Sequence, residues 1–321
     1  SRASSTWSET MLELVTTRDN PMIDPAMHVW GWEIPVYLFL GGWVAGSMVL
    51  AGWFMRRGRE PGDRCVCDVL PWISLVLISL GMGALFLDLE HKLYVWRMYL
   101  TLQPSSPMSW GGWILVLVYP VLALGALRSL PGDWLTSWPA LARLAATLRE
   151  PAATRTLSNA GILTGIALGI YTGVLLSSLG ARPLWASAAL GPLFLVSGLS
   201  TGAAFAHVIA RNPVEQAALL RADNAFLAVE LVLIGLFLIG LTTASAVHAN
   251  AAALLLGGPY TAVFWVFVVG LGIVLPLAIQ TLMASHRIPH TLVAPALVML
   301  GGLALRFVIV SAGQYSHWIS P

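Results

Sequence analysis

Long apolar stretches alternate with short polar ones along this sequence. Eight of them, at residues 34–55, 69–89, 109–128, 157–180, 187–210, 223–247, 260–284 and 290–312, hold their apolar character over a helix-long run. A hydrocarbon core of roughly 30 Å takes about 20 helical residues to cross, so each stretch is predicted to be a membrane-spanning helix. The strict alternation of a barrel strand over about ten residues is missing from all of them. The predicted fold is therefore an all-α integral membrane protein of eight transmembrane helices, arranged as two four-helix bundles. Residues 1–33 form an outer N-terminal segment, 34–128 the first three spans and 129–156 an inner loop. Residues 157–180 complete the first bundle, 187–312 form the second, and 313–321 an outer tail.

Composition agrees with this pattern. Hydrophobic residues make up 57% and charged residues 10%, with mean hydropathy +0.78, far from soluble globular proteins. A net charge of +2, spread over short loops, gives no support for nucleic-acid binding. The basic residues orient the chain instead. Arg56, Arg57, Arg59, Arg64, Arg128, Arg143, Arg149, Arg155, Arg211, Arg221 and Arg287 follow the odd-numbered spans, whereas Arg2, Arg18, Lys92, Arg97 and Arg182 lie on the other side. By the positive-inside rule both termini face outward. Residues 1–30 hold no apolar core long enough for a signal peptide, so either the start lies upstream or targeting relies on the first span.

Two further segments read as interfacial. Thr6-Trp7-Ser8-Glu9 matches a capping box at the head of a short helix over 5–16, and the loop 131–154 sets Trp134, Trp138, Leu141 and Leu148 among arginines. Cys65 and Cys67 are the only cysteines, too few for a cysteinyl iron–sulfur cluster or a structural zinc site, and read as an ordinary loop feature. No metal site is expected.

Charge inside a membrane is costly, so every intramembrane ionisable group is a functional candidate. Glu33 opens the first span, Asp88 ends the second, His207 lies near the inner end of the fifth, Glu230 is in the sixth and Arg306 in the eighth. At a rise of about 1.5 Å per residue, Glu230 is expected roughly 10 to 12 Å from the inner boundary and Arg306 roughly 24 Å from it. That separation predicts no direct salt bridge, with Arg306 on an outer carboxylate or helix-end carbonyls and Glu230 on Asn224, Thr201 or Ser197. With Tyr171 and Asp223 these residues form either a proton path or a set of helix locks.

At the outer face His28, Glu33, Asp88 and His91 gather with Trp30, Trp32, Tyr37, Trp110 and Trp113, and Ser109 opens the third span. Quinone chemistry needs proton donors or acceptors at two carbonyls, an apolar slot for a tail and aromatic groups against a ring. This cluster supplies them, although an ordinary interfacial belt accounts for most of the tryptophans.

Several motifs in order carry a family resemblance: Trp30-Gly31-Trp32 followed by Tyr37-Leu38-Phe39-Leu40-Gly41-Gly42, Leu87-Asp88-Leu89, and Ser106-Pro107-Met108-Ser109-Trp110-Gly111. Further along come Gly169-Ile170-Tyr171-Thr172-Gly173, Pro183-Leu184-Trp185, Pro192-Leu193-Phe194, Ser197-Gly198-Leu199-Ser200-Thr201-Gly202, and Arg306 with Ala312-Gly313-Gln314. From about residue 28 to 314 the chain resembles the NrfD family, the PsrC-like membrane subunits of polysulfide reductase-like respiratory enzymes.

The resemblance implies an eight-helix subunit, without haem or cluster of its own, that binds a quinone or quinol (menaquinone or ubiquinone) at its outer end. Electrons would pass to or from a ferredoxin-like iron–sulfur subunit docked there, alongside a molybdopterin or multihaem cytochrome subunit, in a bacterial or archaeal cytoplasmic membrane. Such a subunit is not expected to be active alone. On the family's pattern His28 takes the place of a quinone-contacting histidine, with Asp24 one turn earlier, and Tyr119 is a further candidate contact.

Two other classes compete. A haem b anchor needs histidine pairs at matched heights, and only His207 lies clearly within a span. A secondary transporter would show broken helices or internal repeats near the midplane. The glycines at 165, 169, 173, 198 and 202 serve equally well as close-packing faces.

Overall fold

The computed structural model describes residues 30–57, 65–89, 92–100, 103–178, 180, 182–284 and 291–318. Among these residues every regular element is helical. Eight helices are long and apolar enough to cross a bilayer: α1 Glu33–Arg56, α2 Val66–Asp88, α3 Pro107–Ser129, α4 Pro151–Ser177, α5 Leu190–Ile209, α6 Pro213–Ala244, α7 Val263–Met283 and α8 Val293–Gln314. Each of the eight expected stretches therefore corresponds to one of these helices.

The differences lie at the ends. Three spans start on a proline, Pro107, Pro151 and Pro213, a residue suited to the first helical turn because its missing N–H would be unsatisfied there anyway. In α6 this signal is reinforced by Asn212, whose side chain accepts from the Val214 N–H at 2.9 Å. Helix α6 thus begins at Pro213 rather than at residue 223 and carries Glu215 and Arg221 in its first turns. After Ala244, Ser245 caps a separate helix, Ala246–Leu256, where a loop was expected. Helix α7 is π-helical over Val263–Val274 before it tightens to α-helix at Leu275. Cys65 and Cys67, expected to be plain loop residues, open α2 and are joined by a disulfide.

Helix α1 is the hub. In its central window 78% of residues are buried, against 33% for α2 and α6, and it packs against α2, α4, α5 and α8. Helix α3 packs between α2 and α4, and α6, α7 and α8 follow one another, with α8 returning to α5. Residues such as Val76, Leu80, Leu117, Val232, Ile239 and Leu300 are exposed on the outward faces of their helices, as apolar side chains that meet lipid tails.

In lipid, helix association rests on van der Waals contact and interhelical hydrogen bonds, so small residues that let backbones approach gain importance. Helix α1 presents Gly42 and Gly46 to Gly198 and Gly202 of α5. A Cβ on Gly202 would lie 2.8 Å from the Gly46 carbonyl carbon, and one on Gly46 or Gly198 would collide with the partner backbone outright. The stripe on α4 works the same way: a Cβ on Gly165 would sit 2.8 Å from the Ala45 carbonyl oxygen, and one on Gly169 2.6 Å from Leu195 Cδ1. These glycines are close-packing faces.

The helix Pro139–Arg149 links α3 to α4. Arg149 Nε donates to the Arg128 carbonyl at 3.1 Å, and Arg128 reaches Asp68 of α2 at 3.4 Å. The segment is thereby tied to two spans, while Trp134 and Trp138 stay exposed.

Gly198→Ala is expected to force α1 and α5 apart and to cost on the order of 1–3 kcal/mol, the usual penalty of overpacking. A lower thermal unfolding midpoint in detergent checks this, and an unchanged midpoint would mean that the interface has slack.

Candidate functional site

At the end of the bundle where α1 begins and α2 ends, α1 to α4 surround an open-sided cavity of about 210 Å³. Helical spacing builds its walls. Met82, Leu85, Phe86 and Leu89 recur along one side of α2 and the residue that follows it, and Met108, Gly111, Gly112 and Leu115 recur in the same i, i+3, i+4, i+7 pattern on α3. Tyr37 enters from α1 and Tyr171 from α4. Val95 and Tyr99 close the top from the short outer segment, in which Lys92–Tyr94 and Trp96–Leu100 are helical.

Glycine on α3 makes room for the polar end of this cavity. The Tyr171 ring and hydroxyl lie where a Cβ on Gly111 would be. Tyr37 is close enough to both Tyr171 and Tyr99 to interact with them electrostatically. Among the described residues, no hydrogen-bonding partner engages the hydroxyls of Tyr37, Tyr99 or Tyr171. The cavity is thus an apolar chamber with three phenols whose hydrogen-bonding capacity is unspent. Burial, aided by neighbouring Tyr119, holds the Tyr99 hydroxyl above the usual phenol range, so it remains a neutral donor at physiological pH.

Of the residues singled out from the sequence, Tyr37 and Tyr171 line this chamber. Tyr119 lies just outside it, its hydroxyl 3.3 Å from Ser79 Oγ. Ser109 accepts from the Gln103 N–H at 3.0 Å and Trp110 Nε1 donates to the Pro104 carbonyl at 2.7 Å, so both fasten the loop into α3. Glu33 and Asp88 interact electrostatically with each other at the outer ends of α1 and α2. His28, Asp24 and His91 lie outside the described residues. Tyr99, Met82, Met108 and Leu115 were not singled out from the sequence, because charge drew attention there and the structure uses apolar residues at helical spacing.

Trp30 belongs to a different arrangement. It stacks on Trp185 with ring centroids 5.1 Å apart, and both its backbone groups pair with the Gln314 side chain at 3.0 Å. Trp185 Nε1 donates to the Ile309 carbonyl at 2.8 Å over Gly313. Buried Arg182 donates to the Ser316 carbonyl at 2.9 Å. This clasp joins the start of α1, the loop before α5 and the end of α8.

A second polar cluster lies among α5, α6 and α8. Arg306 is buried, donates to Ser197 Oγ, to the Phe194 carbonyl at 2.9 Å and to the Gly302 carbonyl at 3.2 Å, and stacks over the Phe194 ring at 4.7 Å. Ser197 and Arg306 are both within electrostatic reach of Glu230. Arg306 thus meets carbonyls within α5 and α8 rather than the expected outer carboxylate or helix-end carbonyls, Glu230 has the expected Ser197 as a neighbour, and the two charged groups are neighbours rather than residues at separate depths. The early start of α6 explains this: Glu230 stands about 26 Å along its helix from Pro213, and Arg306 about 20 Å along its own from Val293. Two turns below Glu230, Asp223 accepts from Ser200 Oγ and from Gln280 Nε2, each at 2.6 Å. His207 meets the Gln216 carbonyl at 3.2 Å near the inner end.

The sequence model of the family described as "Polysulphide reductase, NrfD" matches residues 20–316. The chain belongs to the NrfD family. It is 30% identical over 307 residues to the C subunit of polysulfide reductase from Wolinella succinogenes, covering 89% of this protein and 94% of that one. It is also 30% identical over 304 residues to "Protein NrfD" of Escherichia coli, covering 89% and 95% of the two proteins. With eight bilayer-length apolar helices, this NrfD-family member is a multi-pass membrane protein.

Ser197→Ala removes the hydroxyl between Glu230 and Arg306 and is expected to cost on the order of 1–3 kcal/mol. Thermal unfolding of the single variants and of the double variant with Glu230→Gln checks it. Strictly additive losses would show that the three groups do not act as a unit.

Proposed function

We propose that this protein is the quinone-reactive membrane subunit of a respiratory oxidoreductase complex, with its site in the outer cavity bounded by α1 to α4. The observation that carries the reading is the chamber itself: apolar walls, with Tyr37, Tyr99 and Tyr171 holding unpaired hydroxyls. At about 210 Å³ it is smaller than the roughly 300–1,000 Å³ of pockets that enclose a whole drug-sized ligand. It suits a ring, with an isoprenoid tail left between α2 and α3. Such a headgroup, menaquinone or ubiquinone, supplies two electrons and two protons on oxidation from its quinol form.

Tyr37 and Tyr171 hydrogen-bond its oxygens and fix the ring. Tyr99 does so from above as a neutral donor. Glu33 and Asp88, at the outer mouth, take protons toward the aqueous side. His28, Asp24, His91, Trp30, Ser109, Trp110 and Tyr119 are further contacts or supports in this reading, with His28 the most direct.

Both termini face outward and the helices form two bundles, α1–α4 and α5–α8, the first holding the quinone. Electrons leave through the outer surface, over residues 89–108 and 180–187, to a ferredoxin-like iron–sulfur subunit. A molybdopterin or multihaem cytochrome subunit completes the complex in the cytoplasmic membrane. The names of the relatives, a polysulfide reductase subunit and NrfD, support that assignment.

Protons and electrons that both leave outward move no net charge across the membrane. A proton route through the second bundle would change that, and Tyr171, His207, Asp223, Glu230 and Arg306 mark its course. Buried Arg306 Nε, Gln280 Oε1 and Asn224 Oδ1 have no hydrogen-bonding partner among the described residues, which supports water among these groups.

In the purified complex, Tyr37→Phe and Tyr171→Phe should each lower quinol oxidation roughly tenfold, the equivalent of about 1.4 kcal/mol, with subunit composition intact. Wild-type turnover in both would remove the cavity from the reaction. In proteoliposomes Glu230→Gln should lower the proton-to-electron ratio while uncoupled turnover persists. An unchanged ratio would leave Glu230 as a helix lock.

A further inference from the structure

A second, much smaller pocket of about 20 Å³ lies deeper in the same four helices, below the outer chamber. Ser47 of α1 and Ser74 of α2 line it, with Pro71, Leu122 and Gly125 completing much of the wall. Both serines are 1% exposed, and neither hydroxyl has a hydrogen-bonding partner among the described residues.

That is unusual within this molecule. A helical serine or threonine in lipid ordinarily donates to a carbonyl one turn back, as Ser79 does to Leu75 at 2.7 Å and Thr201 to Ser197 at 2.9 Å. Ser158 instead reaches across to the Gly52 carbonyl of α1. Ser47 and Ser74 do neither, and both residues line the same pocket. Pro71 adds to the local shortage of donors: inside α2 it has no N–H to give the Cys67 carbonyl.

We infer that this pocket binds one ordered water molecule, which bridges Ser47 of α1 to Ser74 of α2. A single water needs about 10–15 Å³ of such volume and two to four polar partners. The pocket offers about 20 Å³ and two hydroxyls. A cation is disfavoured because no carboxylate lines the pocket. A second water would find only apolar wall.

Val44, Ile78 and Val118, each at most 1% exposed, stand on α1, α2 and α3 between this pocket and the outer chamber. The water is therefore a structural bridge, separate from the quinone chamber, and holds α2 to the hub helix where Pro71 weakens it.

The test uses the intact complex. Ser47→Ala and Ser74→Ala should each lower the apparent Tm by about 2–4 °C, with the double variant losing little more than either single one, since either loss releases the bridge. Quinol oxidation should stay at the wild-type rate in all three. If the pocket is dry, deleting an unpartnered hydroxyl leaves Tm unchanged or raises it, and the proposal fails. An independent readout is a structure at a resolution that shows ordered waters. Density between the two hydroxyls supports the bridge, and its absence overturns it whatever the variants do.

Discussion

The close approach of α1 to α5 is the contact on which the other arrangements depend. Gly42 and Gly46 let Gly198 and Gly202 come within backbone distance, a separation at which side chains of ordinary size cannot fit. With no hydrophobic drive between helices in lipid, dense packing of this kind does the work that core burial does in water. Because α1 is held there, its other faces are fixed as well. Tyr37 is aimed between α2, α3 and α4, and Ser47 is set against α2.

The same contact makes room for a buried cation. A Cβ on Gly42 would lie 3.0 Å from Arg306 Nη2, and one on Gly302 would lie 2.8 Å from Thr201 Oγ1. An unpaired guanidinium in the membrane would cost several kcal/mol. Here two carbonyls, the Ser197 hydroxyl and the Phe194 ring surround it, and Glu230 is within electrostatic reach. Ser197 is the pivotal group, since its hydroxyl accepts from the cation and lies within electrostatic reach of the carboxylate. Cation and carboxylate are kept adjacent without a direct ion pair, an arrangement that suits either a rigid lock or a relay.

Much of this was legible in the sequence, for identifiable reasons. The eight spans follow from long apolar runs, which no other local pattern imitates, and the spacing of Gly165, Gly169, Gly173, Gly198 and Gly202 already suggested packing faces. Tyr37 stood out as part of the aromatic cluster at the head of the first span, whereas Tyr171 was read as a step in a proton path or a helix lock rather than as a cavity wall. The start of α6 was misplaced because Glu215, Gln216 and Arg221 interrupt the apolar run over 213–222, although Asn212-Pro213 is a strong capping signal. That error alone separated Glu230 from Arg306. Tyr99 and the methionine-lined walls escaped notice because their meaning lies in three helices converging. The serine pocket was invisible for the same reason: nothing local marks a hydroxyl that fails to find its carbonyl.

The proposed role turns on where the quinone headgroup sits. Photo-crosslinking of the intact complex with a photoreactive short-chain quinone, followed by peptide mapping, measures this directly. Labelling is expected on the α1–α4 chamber, at residues such as Met82, Tyr99, Met108 and Tyr171, and excess quinol should compete it away. Competable labelling confined to α5–α8, around Glu230 and Arg306, would contradict the quinone site placed here.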